Sequence, residues 1–409
     1  MSTKTRAASF VWRGLALLVA VARLLPASGP AAPADPAAIT PLVNSSGSWT
    51  WPTGMGLPGG GDVYALLFAG GYLYAGGTFT DAGGDDDCDY IARWTGMAWD
   101  CPSGMGLGNP VSALEWDGGS LYAGGEFIDA GGDDDCDYMA IWNGSFWDCP
   151  TGLALPADSF VTALLFHAGT VFAGGSFLNA GQDPDCDYIG IWTGSDWNCP
   201  SDMALNFFVS ALEWDGESLY AGGFFTNAGG NGDCDYFAIW GGSSWVCASG
   251  TSLDSHVNAL LWNGSSLFAG GTFVDAGGDD QCDRLAIWTG SGWDCPSGWA
   301  VPGNAAVYSL TWDGSSLYFG GRFDAASAKG ICSSVGIWTG SAWDCPDGMA
   351  LGDWVYALAW DGAHLYAGGN FTDAGGDADG DHIAMWRFDL LFQDGFESAD
   401  FSAWSMFVP

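Results

Sequence analysis

Positive charge is nearly absent from this chain. Its 409 residues include 9 Lys and Arg against 48 Asp and Glu, a net charge of −39. Nonspecific nucleic-acid binding needs clustered cations, so the composition argues against a DNA or RNA partner. Docking on anionic lipid is disfavoured for the same reason. Histidine is scarce, at 4 residues, which leaves little material for His-based catalysis or metal ligation. Helical periodicity is missing, and no run is long and apolar enough for a membrane-spanning helix. In excess are glycine (65) and tryptophan (24), within a chain that is 48% apolar. That is enough for a large core and too much for a disordered chain. The length allows one large all-β domain or two to three ordinary ones.

The two ends differ from the middle. Lys4, Arg6 and Arg13 precede an apolar run over 14–25 that only Arg23 interrupts, and small residues and prolines follow. This order predicts a signal peptide over 1–34, since the apolar run is too short to span a bilayer. Residues 35–46 read as a linker. The tail, 387–409, resembles a "DGFESGD…SAWS" ending of exported bacterial proteins, with Ala399 where Gly is expected. The resemblance implies an export or surface-retention signal. The other reading packs the tail on the fold through Phe392, Phe396 and Trp404.

Between the ends lies a repeat. Val-x-Ala-Leu-x-(Phe/Trp) begins at Val63, Val111, Val161, Val209, Val257 and Val355, and Val307 opens a variant. Each repeat holds four short apolar runs; in the second they are 111–116, 120–124, 138–142 and 146–149. Asp117-Gly118, Asp129-Ala130-Gly131-Gly132 and Asn143-Gly144 separate them as turns. Short β-branched and aromatic runs closed by Gly read as strands. Four strands, seven times over, predict an all-β, seven-bladed β-propeller over 47–386, whose radial packing covers both faces of every blade. Residues 48–57 match the end of a repeat, whereas repeat seven stops at its third strand. The N-terminal piece should therefore supply the outer strand of the last blade and close the ring.

The 12 cysteines fall in pairs 13 apart: Cys88 and Cys101, Cys136 and Cys149, Cys186 and Cys199, Cys234 and Cys247, Cys282 and Cys295, Cys332 and Cys345. The composite seventh blade lacks both members, at Gly380 and Trp51. Joint loss is what a bond within one blade predicts, so six intrablade disulfides and an oxidising compartment are expected. The pairing carries a condition. If Trp94 faces Trp99, Cys101 faces Ala92, and Cys88 stands roughly 13 Å away along an extended strand. The chain at Cys88-Asp89 must curl back.

An acidic loop precedes the first Cys of most repeats. Asp81, Asp85, Asp87 and Asp89 recur as Asp129, Asp133, Asp135 and Asp137, as Asp275 and Asp279, and as Asp373, Asp377, Asp379 and Asp381. Hard oxygen ligands at alternate positions in a Gly-rich loop suit Ca²⁺, although the bidentate Glu of a helix-loop-helix site is missing. The competing reading is a solvated turn that the Asp81-type side chains cap. No recognisable catalytic constellation is present. Glu115 and Glu213 occupy equivalent first strands where other repeats have Leu, Thr or Ala. They are candidate channel carboxylates for glycan hydrolysis, or simply acids hydrated in the channel. The recurring Trp residues are expected to pack between blades. Trp299 and Trp354 fall off the pattern and are candidates for ligand stacking.

The string Leu-Tyr-Ala-Gly-Gly-x-Phe-Thr-Asp-Ala-Gly-Gly … Ile-Ala-x-Trp-Thr-Gly-Ser-x-Trp, best seen over 73–99 and 365–386, resembles repeats of exported kelch-like bacterial propellers. It is also similar to the ectodomain repeats of fungal cortical polarity markers. The resemblance covers 47–386; the Cys pairs and acidic loops depart from it. It implies a secreted or surface protein without assigned catalysis. The expected role is binding of an extracellular protein or glycan. An extracellular glycan hydrolase and a structural envelope or matrix element are the alternatives.

Overall fold

The computed structural model describes residues 47–57, 60–247, 250–301, 305–327, 330–372, 374 and 380–388. The expected signal peptide, linker and tail beyond 388 lie outside the described residues. Seven antiparallel sheets follow one another along the chain as the blades of a β-propeller, with no α-helix among the described residues. In blade 2, Val111–Trp116 pairs with Leu121–Gly125, which pairs with Met139–Trp142. The outer strand is short. It is a two-residue strand in blades 4 to 6 and a single Trp–Trp bridge in blades 1 to 3, such as Trp142 to Trp147. Sequence explains the tight first turns. Asp117 Oδ1 accepts the N–H groups of Gly119 and Ser120 at 2.8 and 2.7 Å, and Asp215, Asp313 and Asp361 repeat the device.

First strands of successive blades lie side by side, and Val355–Trp360 meets Val63–Ala69, so the ring closes. The closure is the expected one. Gly47–Thr50 pairs with Ile383–Phe388, and Trp49 faces Trp386. A fixed knob-and-hole joins neighbours. The first Gly of each Leu-Tyr-Ala-Gly-Gly run receives the Val that opens the next blade: a Cβ added at Gly124 would stand 2.5 Å from Val161 Cγ1 and 2.9 Å from its Cβ. Gly124→Ala is therefore expected to cost about 1–3 kcal/mol by overpacking, as real Cβ atoms do not approach so closely. Chemical unfolding measures it; an unchanged midpoint would show that the blades part freely.

Tryptophan forms a second girdle. The outer-strand indole of each blade donates its N–H to a loop carbonyl of the preceding blade: Trp99 to Met55, Trp147 to Met105, Trp197 to Leu153, Trp245 to Met203, Trp293 to Thr251, Trp343 to Gly298 and Trp49 to Met349. Each also meets the third-strand Trp of its own blade edge-on or tilted, as Trp94 and Trp99 do at 5.4 Å. The expected packing role of the recurring Trp is thus a directional hydrogen bond around the whole ring as well as apolar burial.

All six disulfides join the expected partners. Cys88 bonds Cys101, Cys136 bonds Cys149, Cys186 bonds Cys199, Cys234 bonds Cys247, Cys282 bonds Cys295 and Cys332 bonds Cys345, with Cα atoms 5.3–5.5 Å apart. The second members Cys199, Cys295 and Cys345 are buried like the first, and Cys247 is half-buried. The required curl is made by one residue. Tyr90 has φ 61°, in the left-handed region, and Tyr138, Tyr188, Tyr236, Arg284 and Ser334 repeat it. Tyr90 N–H bonds Phe79 C=O while its own C=O takes the Gly77 N–H, so the loop doubles back and returns Cys88 to Cys101. Blade 7 shows what replaces the bridge. A Cβ at Gly380 would lie 3.1 Å from the Trp51 ring, so that indole fills the place of the missing disulfide.

Candidate functional site

Strand pairing sorts the loops onto two ends. Val63 pairs with Gly77, and Gly76 with Ile91, so the loops between second and third strands share an end with the connections between blades. The tight first turns and third-to-outer turns occupy the other end. The disulfides, the acidic loops, Trp299 and Trp354 all belong to the loop end.

There the acidic side chains serve the backbone. Asp89 Oδ1 accepts the Asp81 N–H at 2.7 Å, Asp85 Oδ1 accepts the Asp87 N–H at 3.0 Å, and Asp87 Oδ1 accepts the Gly104 N–H at 2.8 Å. In blade 2, Asp137, Asp133 and Asp135 do the same for Asp129, Asp135 and Gly152. Asp283 and Asp279 hold the amides of Asp275 and Gln281. Asp81, Asp129 and Asp275 sit at φ 48–53° without a side-chain cap. The expectation that these side chains cap the turn is corrected: Asp and Asn recur here because they tolerate the left-handed region. Alternation along the loop turns successive carboxylates toward different amides. No three His, Cys, Asp or Glu side chains are grouped to hold a metal ion among the described residues. Asp381 is described, whereas Asp373, Asp377 and Asp379 lie outside the described residues.

Glu115 and Glu213 lie on innermost strands, whose inner edges carry unpaired backbone groups. A bulge between the first and third residues of every first strand frees the second residue, which turns toward the next blade. Thr162 Oγ1 then donates to Val209 C=O at 2.6 Å, and Asn258 Nδ2 to Val307 C=O at 3.0 Å. The two glutamates supply acceptors. Glu115 Oε1 takes the Trp116 N–H at 3.0 Å and Glu213 Oε1 the Trp214 N–H at 2.9 Å. The backbone of the next blade, at Phe166 and Trp262 respectively, also favours the charged form of each carboxyl. Burial pushes both up to about 7, against the pull of those amides, and the Glu213 charge raises Glu115 further. The Glu213 charge thus acts on Glu115, and the backbone of the next blade acts on both.

Of the two off-pattern tryptophans, Trp299 is corrected. It is 0% exposed, donates to Leu285 C=O at 2.7 Å, and occupies the slot that Met105, Met203 and Met349 fill elsewhere. It has no free face for a ligand. Trp354 is half-buried at the mouth of the ring, with Arg322 4.9 Å above its ring and Tyr308 and Tyr356 alongside.

Trp354 belongs to a larger feature. Two residues per blade border this mouth: the one before the opening Val and the one after the Gly-Gly pair. They face each other across the blade, as in the Phe224 N–H to Phe208 C=O bond at 3.0 Å and the Ala306–Arg322 pair. On blades 3 to 5 they form an aromatic arc. Phe160 lies 6.0 Å from Phe208, Phe208 stacks on Phe224 at 4.1 Å, and Phe224 stacks on His256 at 3.5 Å. Phe207, 49% exposed, flanks Phe208, while Tyr188 and Tyr236 adjoin from the third-strand side. Burial lowers the His256 pKa below its ordinary value, so the arc is uncharged at neutral pH. Sequence reading passed over this arc, although a signal existed. Positions occupied by Asp62, Pro110, Phe160, Phe208, His256, Ala306 and Trp354 vary where the core positions hold constant.

Neither a family model nor a curated protein matches the chain. Among solved structures, YCF48 bound to D1 peptide aligns with a TM-score of 0.51 at 11% identity, covering 85% of this chain and 97% of that one. The computationally designed Ika8 protein aligns with a TM-score of 0.46 at 15% identity, covering 82% and 99%. At such identity the likeness speaks to fold alone: this chain shares the propeller architecture of YCF48.

Proposed function

We propose that this chain is an exported, non-enzymatic binding module that takes a macromolecular ligand at the loop end of its propeller. One observation carries the reading: the half-exposed arc of Phe160, Phe207, Phe208, Phe224 and His256 at the mouth. Aromatic side chains concentrated on a surface otherwise rich in acids have binding as their usual physical purpose. Export is supported by the signal-peptide pattern of 1–34, by the resemblance to exported propellers, and by six disulfides, which persist in oxidising compartments. Among the described residues no helix is long and apolar enough to cross a membrane. The YCF48 propeller is itself seen with a peptide bound. A hydrolase reading through Glu115 and Glu213 fits less well, because backbone amides already engage both carboxylates.

The test presents the full chain with a random peptide library and a glycan panel. Phe207→Ser with Phe224→Ser is expected to weaken the selected ligands about tenfold or more, the loss typical of a binding hot spot. Phe146→Ser, at an exposed ring on a third-to-outer turn, should leave them unchanged. Ligands indifferent to the arc, or glycan cleavage lost in a Glu115→Gln/Glu213→Gln variant, would overturn the reading.

A further inference from the structure

We propose that the aromatic arc on blades 3 to 5 seats the basic side chains, arginine foremost, of a partner polypeptide. This rests on the binding reading above and names the chemistry of its ligand. Three observations carry it. First, the stack of Phe208, Phe224 and His256 is flanked by an open ring, Phe207, which is 49% exposed and offers the face on which a guanidinium gains a cation–π contact. Second, blades 2 to 4 carry no cation of their own, and Arg284 of blade 5 is turned onto the Thr272 and Phe273 carbonyls. No Lys or Arg occurs between Arg93 and Arg284, a stretch that spans blades 2 to 4 entirely and is rich in Asp. Asp158 and Asp202 are exposed in the connections that enter blades 3 and 4, and Asp254 is exposed in the one that enters blade 5. Third, the rim already holds one such contact. Arg322 over Trp354 occupies the same pair of positions, between blades 6 and 7, that Phe224 and His256 occupy between blades 4 and 5. At blades 4 to 5 the pair is aromatic on both sides and stacked shut, so a cation must come from outside and rest on the open Phe207 ring beside it. A field of this sign also draws basic segments toward the mouth and speeds their encounter.

The experiment uses the full chain with three probes: a nine-residue arginine peptide, a nine-residue lysine peptide and a neutral cello-oligosaccharide. The arginine peptide is expected to bind more tightly than the lysine peptide, and more weakly as salt rises. Phe207→Leu keeps apolar bulk and removes the exposed ring, so it tests the π contact without emptying the site. It should cost the arginine peptide about threefold or more, roughly one cation–π contact, at an unchanged melting temperature. Met97→Ser, at a side chain 82% exposed on the third-to-outer turn of blade 1, is the control and should have no effect. Arginine-peptide binding that ignores both Phe207→Leu and Phe207→Ser would mean diffuse attraction to an acidic surface and would overturn the proposal. Cello-oligosaccharide binding that depends on Phe207 and Phe224, without peptide binding, would also overturn it while leaving the binding reading intact. Indifference of every probe and every selected ligand to the arc would remove both.

Discussion

Reduction of the six disulfides is expected to lower the melting temperature by tens of degrees, the largest single effect open to experiment on this fold. Each bridge spans 13 residues and closes its own loop in its own blade. A loop of that size is worth at most roughly 3 kcal/mol through the unfolded chain. The bridges do not overlap, so together they rival the whole net stability of an ordinary domain. They also pin what the strands do not. In blades 1 to 6 the outer strand is at most two residues long, and the bridge holds the start of the inter-blade connection against the preceding loop. Removal of one pair, Cys136→Ala with Cys149→Ala, should cost about 2–3 kcal/mol. Cys136 is 0% exposed, so reduction should be slow in the native state and fast in denaturant. Calorimetry with and without reductant, with titration of the released thiols, measures both. Full reduction at an unchanged melting temperature would show that the Val-into-Gly contacts and the indole girdle suffice alone. Blade 7, in which Trp51 packs over Gly380, indicates that one blade in a closed ring can do without its bridge.

A second large effect concerns pH. Stability should fall as pH rises from about 5 to 8, and Glu115→Gln with Glu213→Gln should abolish that fall. Both carboxyls are raised from 4.5 to about 7 in the fold. Between those values the folded chain holds protons that the unfolded chain has released, so the native state loses ground as pH rises through the window. The loss is on the order of 3 kcal/mol per carboxyl at most. Gln keeps a carbonyl oxygen for the Trp116 and Trp214 amides and carries no charge to desolvate. The double variant should therefore match wild type near pH 5 and melt several degrees higher at pH 8. Ordinary Asp and Glu are already ionised in both states across this window, so the acidic surface contributes little slope. Parallel curves for variant and wild type would place the two glutamates in a wet channel at ordinary pKa.

How much of this was legible depends on the length scale. The seven blades, the closing strand at Trp49 and the six disulfides follow from sequence alone, because each is written as a fixed spacing repeated many times. Joint loss at Gly380 and Trp51 even marked the disulfides as bonds within one blade. What lies within one loop was not legible. Four aspartates at alternate positions look like a shared cation site until the left-handed Asp81 and Tyr90 turn the chain between them. Asp85, Asp87 and Asp89 then each find a different amide. Trp299 looked like an exposed outlier and proved to be a larger plug in a methionine slot, since burial depends on the facing blade.

Repetition thus determined the architecture by itself: a spacing that recurs seven times can bury its apolar faces only against copies of itself, in a ring. The tertiary structure alone decided which variable residues meet. Successive members of the series Phe160, Phe208, Phe224 and His256 lie 16 to 48 residues apart, one strand pair or one blade from the next. Strand pairing within a blade and packing between neighbouring blades bring those separations down to 3.5–6.0 Å between ring centroids. The first-strand bulge likewise turns Thr162 and Asn258 onto the next blade, because an unpaired inner edge must find partners for its polar backbone groups.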